Sequence, residues 1–287
     1  MAIQLITDST AYISQELIDQ YKIKVLPLVV NFEDESFLDL PEYFSAFYKK
    51  LATVNYIPKS SQPSAALMFE AFHQAMKSGH HVIAVFLSSK MSGTFNTAMM
   101  IKEQVLEHYP KGKITVIDSG SNSMQMGHVV LAGARAIKTG KSYDEAISQI
   151  EKTIPRTKFI FSPATLEYLK RGGRIGSAEA FLGQILQVKP ILTVDKGITS
   201  SLDKVRTRKK SIQYMVNTFM SDIESYGLEN VVIHHIEDEK EANKIKALIE
   251  EKTGLESVQV MDIGPVIGTH VGPGAIGIAY ETKEIIK

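Results

Sequence analysis

Apolar positions along the chain fall into short continuous runs and longer stretches in which they recur every three to four residues. This is the pattern of buried strands alternating with amphipathic helices. "IQLIT" predicts a strand, and Ser14 is placed to cap a helix over "QELIDQY". "KVLPLVV" reads as a second strand. "PEYFSAFYKKLA", with Pro41 in its first turn, and "ALMFEAFHQAMK" read as helices, and "HVIAVFL" as a buried strand. The order continues with helix "TFNTAMMIKEQVLEHY", strand "KITVIDS" and helix "MGHVVLAGARAIKTG", which ends at Gly140. Ser142 and Glu145 stand at capping-box spacing before "SYDEAISQIEKTI".

Beyond Pro155 the texture changes. "KFIFS" predicts a strand, "PATLEYLKRGGRIG" a short helix broken by glycines, and "AEAFLGQILQVK" a helix. "PILTVDKGITSSLDKV" reads as a hairpin turning at Asp195-Lys196-Gly197. A helix "SIQYMVNTFMSDIES" follows, then strand, helix and strand in "NVVIHHI", "EKEANKIKALIEEK" and "LESVQVMDIG", with a last strand in "GAIGIAYE". The expected fold class is α/β, with parallel sheet covered on both faces. A boundary near Pro155 divides the chain into two domains, 1–155 and 156–287.

Composition excludes several functions. Lys+Arg 32 balance Asp+Glu 32, so no global basic field favours nucleic acid. Cysteine is absent, which removes disulfides, a thiol nucleophile and thiolate metal sites, and is compatible with a cytoplasmic location. The opening "MAIQLITDST" has no basic region and meets Asp8 early, so no signal peptide is expected. No apolar run approaches the roughly 18 residues needed to span a bilayer.

Candidate chemistry lies at the strand ends. "TDST" and "DSGSNS" follow strands, "KSSQPS" and "SSKMSGT" precede helices, and "THVGPGAIG" precedes the last strand. Ligands of open α/β sheets bind beyond the carboxyl ends of the strands. Hydroxyls, helix N–H groups and a close-approach glycine together suit a small anion such as a carboxylate. Each loop also reads as ordinary capping, although "SSKMSGT" carries more hydroxyls than one cap needs. Gly93 lacks the partner glycine and lysine of a phosphate loop. Gly272, Gly274 and Gly277 match a dinucleotide fingerprint by letter, but they precede a strand. His80-His81 and His234-His235 point to opposite strand faces, so neither pair chelates a metal, and none is expected. His270, beside the glycine-rich loop, is either a site residue or structural. Arg208, Lys209 and Lys210 read as a solvated face, while Arg171 and Arg174, in a glycine-broken turn, could face a phosphate or a partner.

These segments, "ITDST", "SSQP", "LSSKMSGTFNTA", "IDSGSNS", "LKRGGRIG", "VRT" and "THVGPGAIG", resemble in order and spacing the DegV family of bacterial proteins. The resemblance covers essentially the whole chain. It implies a Rossmann-like N-terminal domain with an open parallel sheet, a C-terminal α/β domain, and one long-chain fatty acid held between them. It further implies a carrier subunit of fatty acid kinase, without catalysis or cofactor of its own. A separate ATP-dependent kinase subunit would phosphorylate the carboxylate, and an acyltransferase or membrane surface would be met transiently during phospholipid synthesis. The residues implied for the carboxylate are Ser92, Ser60, Ser61, Gly93, Thr94 and His270. Ser60 stands where the family usually has threonine. Arg174 and Arg206 are implied to face the kinase or its phosphate. Met91, Met99, Met100, Met124 and Met126 would suit an acyl tunnel or ordinary core. The alternatives are a Ser92-dependent lipid ester hydrolase or acyltransferase with His270 as base, and a nucleotide- or anion-binding regulator.

Overall fold

The computed structural model describes residues 2–184 and 188–287. β1 (Ile3–Asp8), α1 (Gln15–Tyr21) and β2 (Lys24–Leu26) open the chain. The single strand expected at "KVLPLVV" is split. Pro27 has no N–H for a ladder, so β2 stops before it and β3 (Val29–Asn31) joins a different sheet. There β3 pairs antiparallel with β4 (Ser36–Leu38) and, after α2 (Phe44–Leu51), with β5 (Lys59–Ser61). α3 (Ala65–Lys77), β6 (His81–Phe86), α4 (Thr94–His108) and β7 (Ile114–Asp118) follow. They complete an all-parallel sheet in the order β2-β1-β6-β7.

α5 (Ser123–Lys138) and α6 (Tyr143–Thr153), the latter started by the Ser142–Glu145 capping box, lead to β8 (Thr157–Ser162) and α7 (Glu167–Arg171). The helix expected at "AEAFLGQILQVK" is a 3₁₀ stretch over Gly176–Gln184, and its positions 185–187 lie outside the described residues. β9 (Lys189–Asp195) and β10 (Ile198–Val205) form the expected hairpin. Its turn residues Lys196 and Gly197 are both at positive φ, 48° and 82°. α8 (Arg208–Tyr226), β11 (Leu228–His235), α9 (Glu239–Thr253), β12 (Gln259–Asp262), α10 (Pro265–Val271) and β13 (Ile276–Thr282) complete the chain. The second sheet runs β10-β9-β8-β13-β11-β12 and is antiparallel except for β11–β12, which α9 connects. The position expected for a boundary, Pro155, sits in the turn between α6 and β8.

α5 is the spine of the molecule. Its sequence is mostly apolar or small, with its two cations, Arg135 and Lys138, near its C-terminal end, and 13 of its 16 residues are buried. A helix so largely apolar belongs inside, and α5 packs on β1 of the first sheet and on β8 and β13 of the second. One apolar cluster therefore runs from Leu5 and Ile83 through Met126 and Val130 to Phe159, Leu192 and Ala279. No described helix is long and apolar enough to cross a membrane.

Candidate functional site

Beyond the carboxyl end of β6, the molecule encloses a cavity of about 240 Å³. The first half of the chain contributes Leu28, Ser60, Ser61, Gln62, Leu87, Met91, Ser92, Gly93 and Asn122 to its wall. The second half contributes Phe159, Phe161, Leu169, Arg174, Val194, Thr199, Val266, Ile267, His270 and Val271. A smaller apolar void shares Phe159, Phe161, Ile267 and Val271 with it and adds His234, Ile263, Ala275 and Ile276. Phe159 and Phe161, two apart on β8 and so on one face, stack at 5.1 Å.

The polar groups collect at one end. Ser60, half-buried on β5, and His270, near the end of α10, meet through a 2.7 Å hydrogen bond between Oγ and Nε2. Ser92 lies in the loop between β6 and α4. Its Oγ accepts from the Thr94 N–H at 3.3 Å and lies 2.9 Å from the Thr94 hydroxyl. That loop is fastened on both sides. The Ser88 hydroxyl donates to the Gly197 carbonyl at 2.7 Å, and the Ser88 N–H to the Ser121 carbonyl at 2.8 Å. The Asp118 carboxylate receives the Ser89 N–H. Gln62 donates to Thr97 at 2.7 Å, and a Cβ on Gly93 would lie 2.5 Å from the Gln62 Oε1, so a larger residue there would displace that amide.

Charge at this end is sparse. Burial, aided by the Arg174 charge, holds His270 down to about 4, so it is neutral at pH 7, and its buried Nδ1 has no partner. Arg174 supplies the fixed cation. Its Nε and Nη2 donate to the Met91 carbonyl at 3.2 and 3.1 Å, and its Nη1 to the Gly172 carbonyl at 2.7 Å. At the apolar end, burial holds His234 down to about 3. Its Nε2 accepts the Met124 N–H, so its Nδ1–H donates to the Met261 carbonyl. Among the described residues no cluster of metal-binding side chains is present.

Several expected residues sit elsewhere than the sequence suggested. Thr94 is fully buried off the wall and reaches Ser92, not the cavity. Ser61 does reach the cavity wall, but its hydroxyl accepts from Asn31 at 2.9 Å on the more exposed side of β5. Arg206 is exposed before α8 and off the wall. Arg171 pairs with Glu167 at 2.6 Å, and Arg208 is part-buried, holding Ser162 and Gly274 carbonyls as well as Asp238. Of the five methionines only Met91 lines the cavity. Met124 and Met126 are core, Met99 is half-buried off the wall, and Met100 is 65% exposed. Gln62 and Asn122 stood inside motifs that drew attention, but no role was read for them. The aromatic and aliphatic wall residues carry no sequence signal that separates them from core.

One polar end of hydroxyls, a neutral imidazole and one guanidinium, with an apolar body, suits an amphiphile with a small head group. It does not supply a nucleophile pair for Ser92. The histidine bonds Ser60 instead, and no carboxylate orients its Nδ1, as an activated serine requires.

The family model described as uncharacterised protein, DegV family, matches residues 2–283. A DegV domain-containing protein of Clostridium acetobutylicum is 40% identical over 284 residues, covering 99% of each chain. Among solved structures, DegV of Bacillus subtilis, described as a fatty acid binding protein, superposes with a TM-score of 0.86 at 34% identity, over 99% of this chain and 100% of that one. A DegV family protein of Thermus thermophilus, described by its fatty acid binding, gives 0.86 at 31% identity over 98% and 100%.

Proposed function

The chain belongs to the DegV family, and on that premise we propose that it binds one long-chain fatty acid, carboxylate at the polar end of the cavity and acyl tail along the apolar wall. The observation that carries this reading is the division of a single cavity into a hydroxyl–imidazole end and an aliphatic–aromatic body. Ser92, Ser60 and His270 hold the carboxylate, with Gly93 and Ser61 contributing the adjoining wall and Thr94 orienting the Ser92 hydroxyl. Burying about 14–16 methylenes at about 0.8 kcal/mol each gives a gross gain near 12 kcal/mol, from which the costs of association are subtracted. Few polar contacts are then needed at the head. The ligand lies between residues 1–155 and 156–287, taken as two domains.

The protein then acts as a carrier in the cytoplasm, presenting the carboxylate to a separate ATP-dependent kinase subunit that forms the acyl phosphate for phospholipid synthesis. The lack of a phosphate-binding glycine loop in this chain supports a separate nucleotide site. The exposed Arg174 and Arg206 are the residues for that partner. Titration with palmitate and oleate by calorimetry tests the carrier role, which predicts one site per chain; no heat and no displacement of a fluorescent fatty acid would end it. The kinase role is tested by adding the kinase subunit, ATP and hydroxylamine. Acyl hydroxamate formed only with both proteins supports it, and its absence when the fatty acid is demonstrably bound refutes it.

A further inference from the structure

Buried polar groups off the cavity wall gather beneath α10. Asp39 is 1% exposed. It accepts from the Ser9 hydroxyl at 2.8 Å, the Tyr12 hydroxyl at 3.3 Å and the Val266 N–H at 3.1 Å. Two of these partners extend the network. Tyr12 Oη accepts the Ile267 N–H at 3.4 Å, and Ser9 Oγ accepts the Leu28 N–H at 3.1 Å. Tyr48 donates to the Ile263 and Gly264 carbonyls at 2.6 and 3.2 Å. Gly264 completes the seat, because a Cβ there would lie 2.4 Å from Asp39 Oδ1 and 2.5 Å from the Phe44 ring.

Among the described residues every partner of the Asp39 carboxylate is a donor, the arrangement of an ionised carboxylate. Burial works against that charge and pushes the group up to about 7, with the Val266 and Ser9 bonds pulling it back. None of the ion pairs among the described residues includes Asp39. A buried charge compensated by hydrogen bonds alone is costly, and an apolar side chain would fill the space without that cost. The network must therefore fix something that packing does not.

What it fixes is α10. A helix of seven residues does not hold itself in water, so its place comes from outside contacts. Val266, Ile267 and Leu28, whose N–H groups end in the network, are all wall residues of the cavity. His270 stands one helical turn beyond Val266 on the same face. We propose that Asp39 is a positioning residue for the carboxylate end of the site: through Val266, and through Tyr12 to Ile267, it sets α10 so that the His270 imidazole meets Ser60. The inference rests on the fatty-acid reading of the cavity.

The test compares a fatty acid with the primary alcohol of the same length, binding each to wild type, Asp39→Asn and Tyr12→Phe by calorimetry, with thermal denaturation alongside. In Asp39→Asn the carboxylate charge behind the Val266 and Tyr12 bonds is lost, and an NH2 replaces Oδ2 opposite the Ser9 hydroxyl, so the hold on α10 weakens. Acid affinity is expected to fall about tenfold and alcohol affinity less than about threefold, so the preference for the acid shrinks. Tyr12→Phe keeps the ring and is expected to shrink that preference by about threefold; it decides the question if Asp39→Asn does not fold. Equal weakening of both ligands, or none, overturns the proposal, since a purely structural role moves both together. Wild type that binds neither ligand refutes the fatty-acid reading and the inference with it. Wild type that prefers the acid, with that preference intact in both variants, refutes the inference alone.

Discussion

The two ends of the cavity are built in opposite ways. The polar end is assembled from loop and terminal segments far apart in the chain: Ser60 on an edge strand, Ser92 in a strand–helix loop, His270 on a seven-residue helix and Arg174 after α7. Each is held by specific hydrogen bonds, and a 1 Å shift would break the set. The apolar end is Phe159, Phe161, Val194, Val266 and Ile267, drawn from sheet and helix and continuous with the core. It tolerates change in any one contact, because dispersion and burial are spread over many atoms. Direction and discrimination should come from the first end, and binding energy from the second.

The largest effect should come from filling the apolar end. Val194→Trp, replacing a nearly buried wall residue, displaces about four methylenes of ligand and removes about 3 kcal/mol, over a hundredfold in affinity. The unfolding midpoint should move little, because the added ring occupies existing space. Unchanged affinity for palmitate would show that the tail lies elsewhere. At the other end, Ser92→Ala should weaken fatty acid binding by about 1–3 kcal/mol, and calorimetry that finds no change would remove Ser92 from the head-group site.

The histidines sharpen the contrast by pH. His270 has a folded value near 4, below its unfolded 6.5, so the fold favours the neutral form. That contribution is present above pH 6.5 and is lost as pH falls toward 4, when the unfolded chain takes up a proton that the fold refuses. The stability advantage of wild type over His270→Gln should therefore shrink by about 2 kcal/mol between pH 7 and pH 4.5, read by urea denaturation. A constant difference would mean that His270 is solvated. The smallest effect on lipid binding is expected from Arg174→Ala. Its bonds to the Met91 carbonyl are exposed, so about 0.5–1 kcal/mol is lost, while acyl hydroxamate formation with the kinase subunit falls further. A collapse of lipid affinity would place Arg174 in the head-group site itself.

The same contrast explains what could be read from the sequence. "SSKMSGT" stood out because it carries more hydroxyls than one cap needs, and "THVGPGAIG" because His270 stands beside its glycines. Those segments do reach one cavity, with Ser92, Gly93, His270 and Val271 on its wall. The parallel sheet, the capping box and the β9–β10 hairpin were legible from local pattern. Leu28, Phe159 and Val194 were not, because a wall residue and a core residue differ only in what lies beyond them. Pro27 divided a strand whose apolar pattern looked continuous, and α10 is too short for periodicity to announce. Thr94 illustrates the limit of motif reading: two residues from Ser92 in sequence, it turns inward as a support. Asp39 gave no sign, since an acid before a helix reads as a cap.

The most direct measurement is mass spectrometry of an organic extract of the purified protein, paired with native mass spectrometry of the intact chain. The account predicts a long-chain fatty acid at one molecule per chain, lost in Val194→Trp. An empty wild-type protein that also takes up no added fatty acid would contradict it.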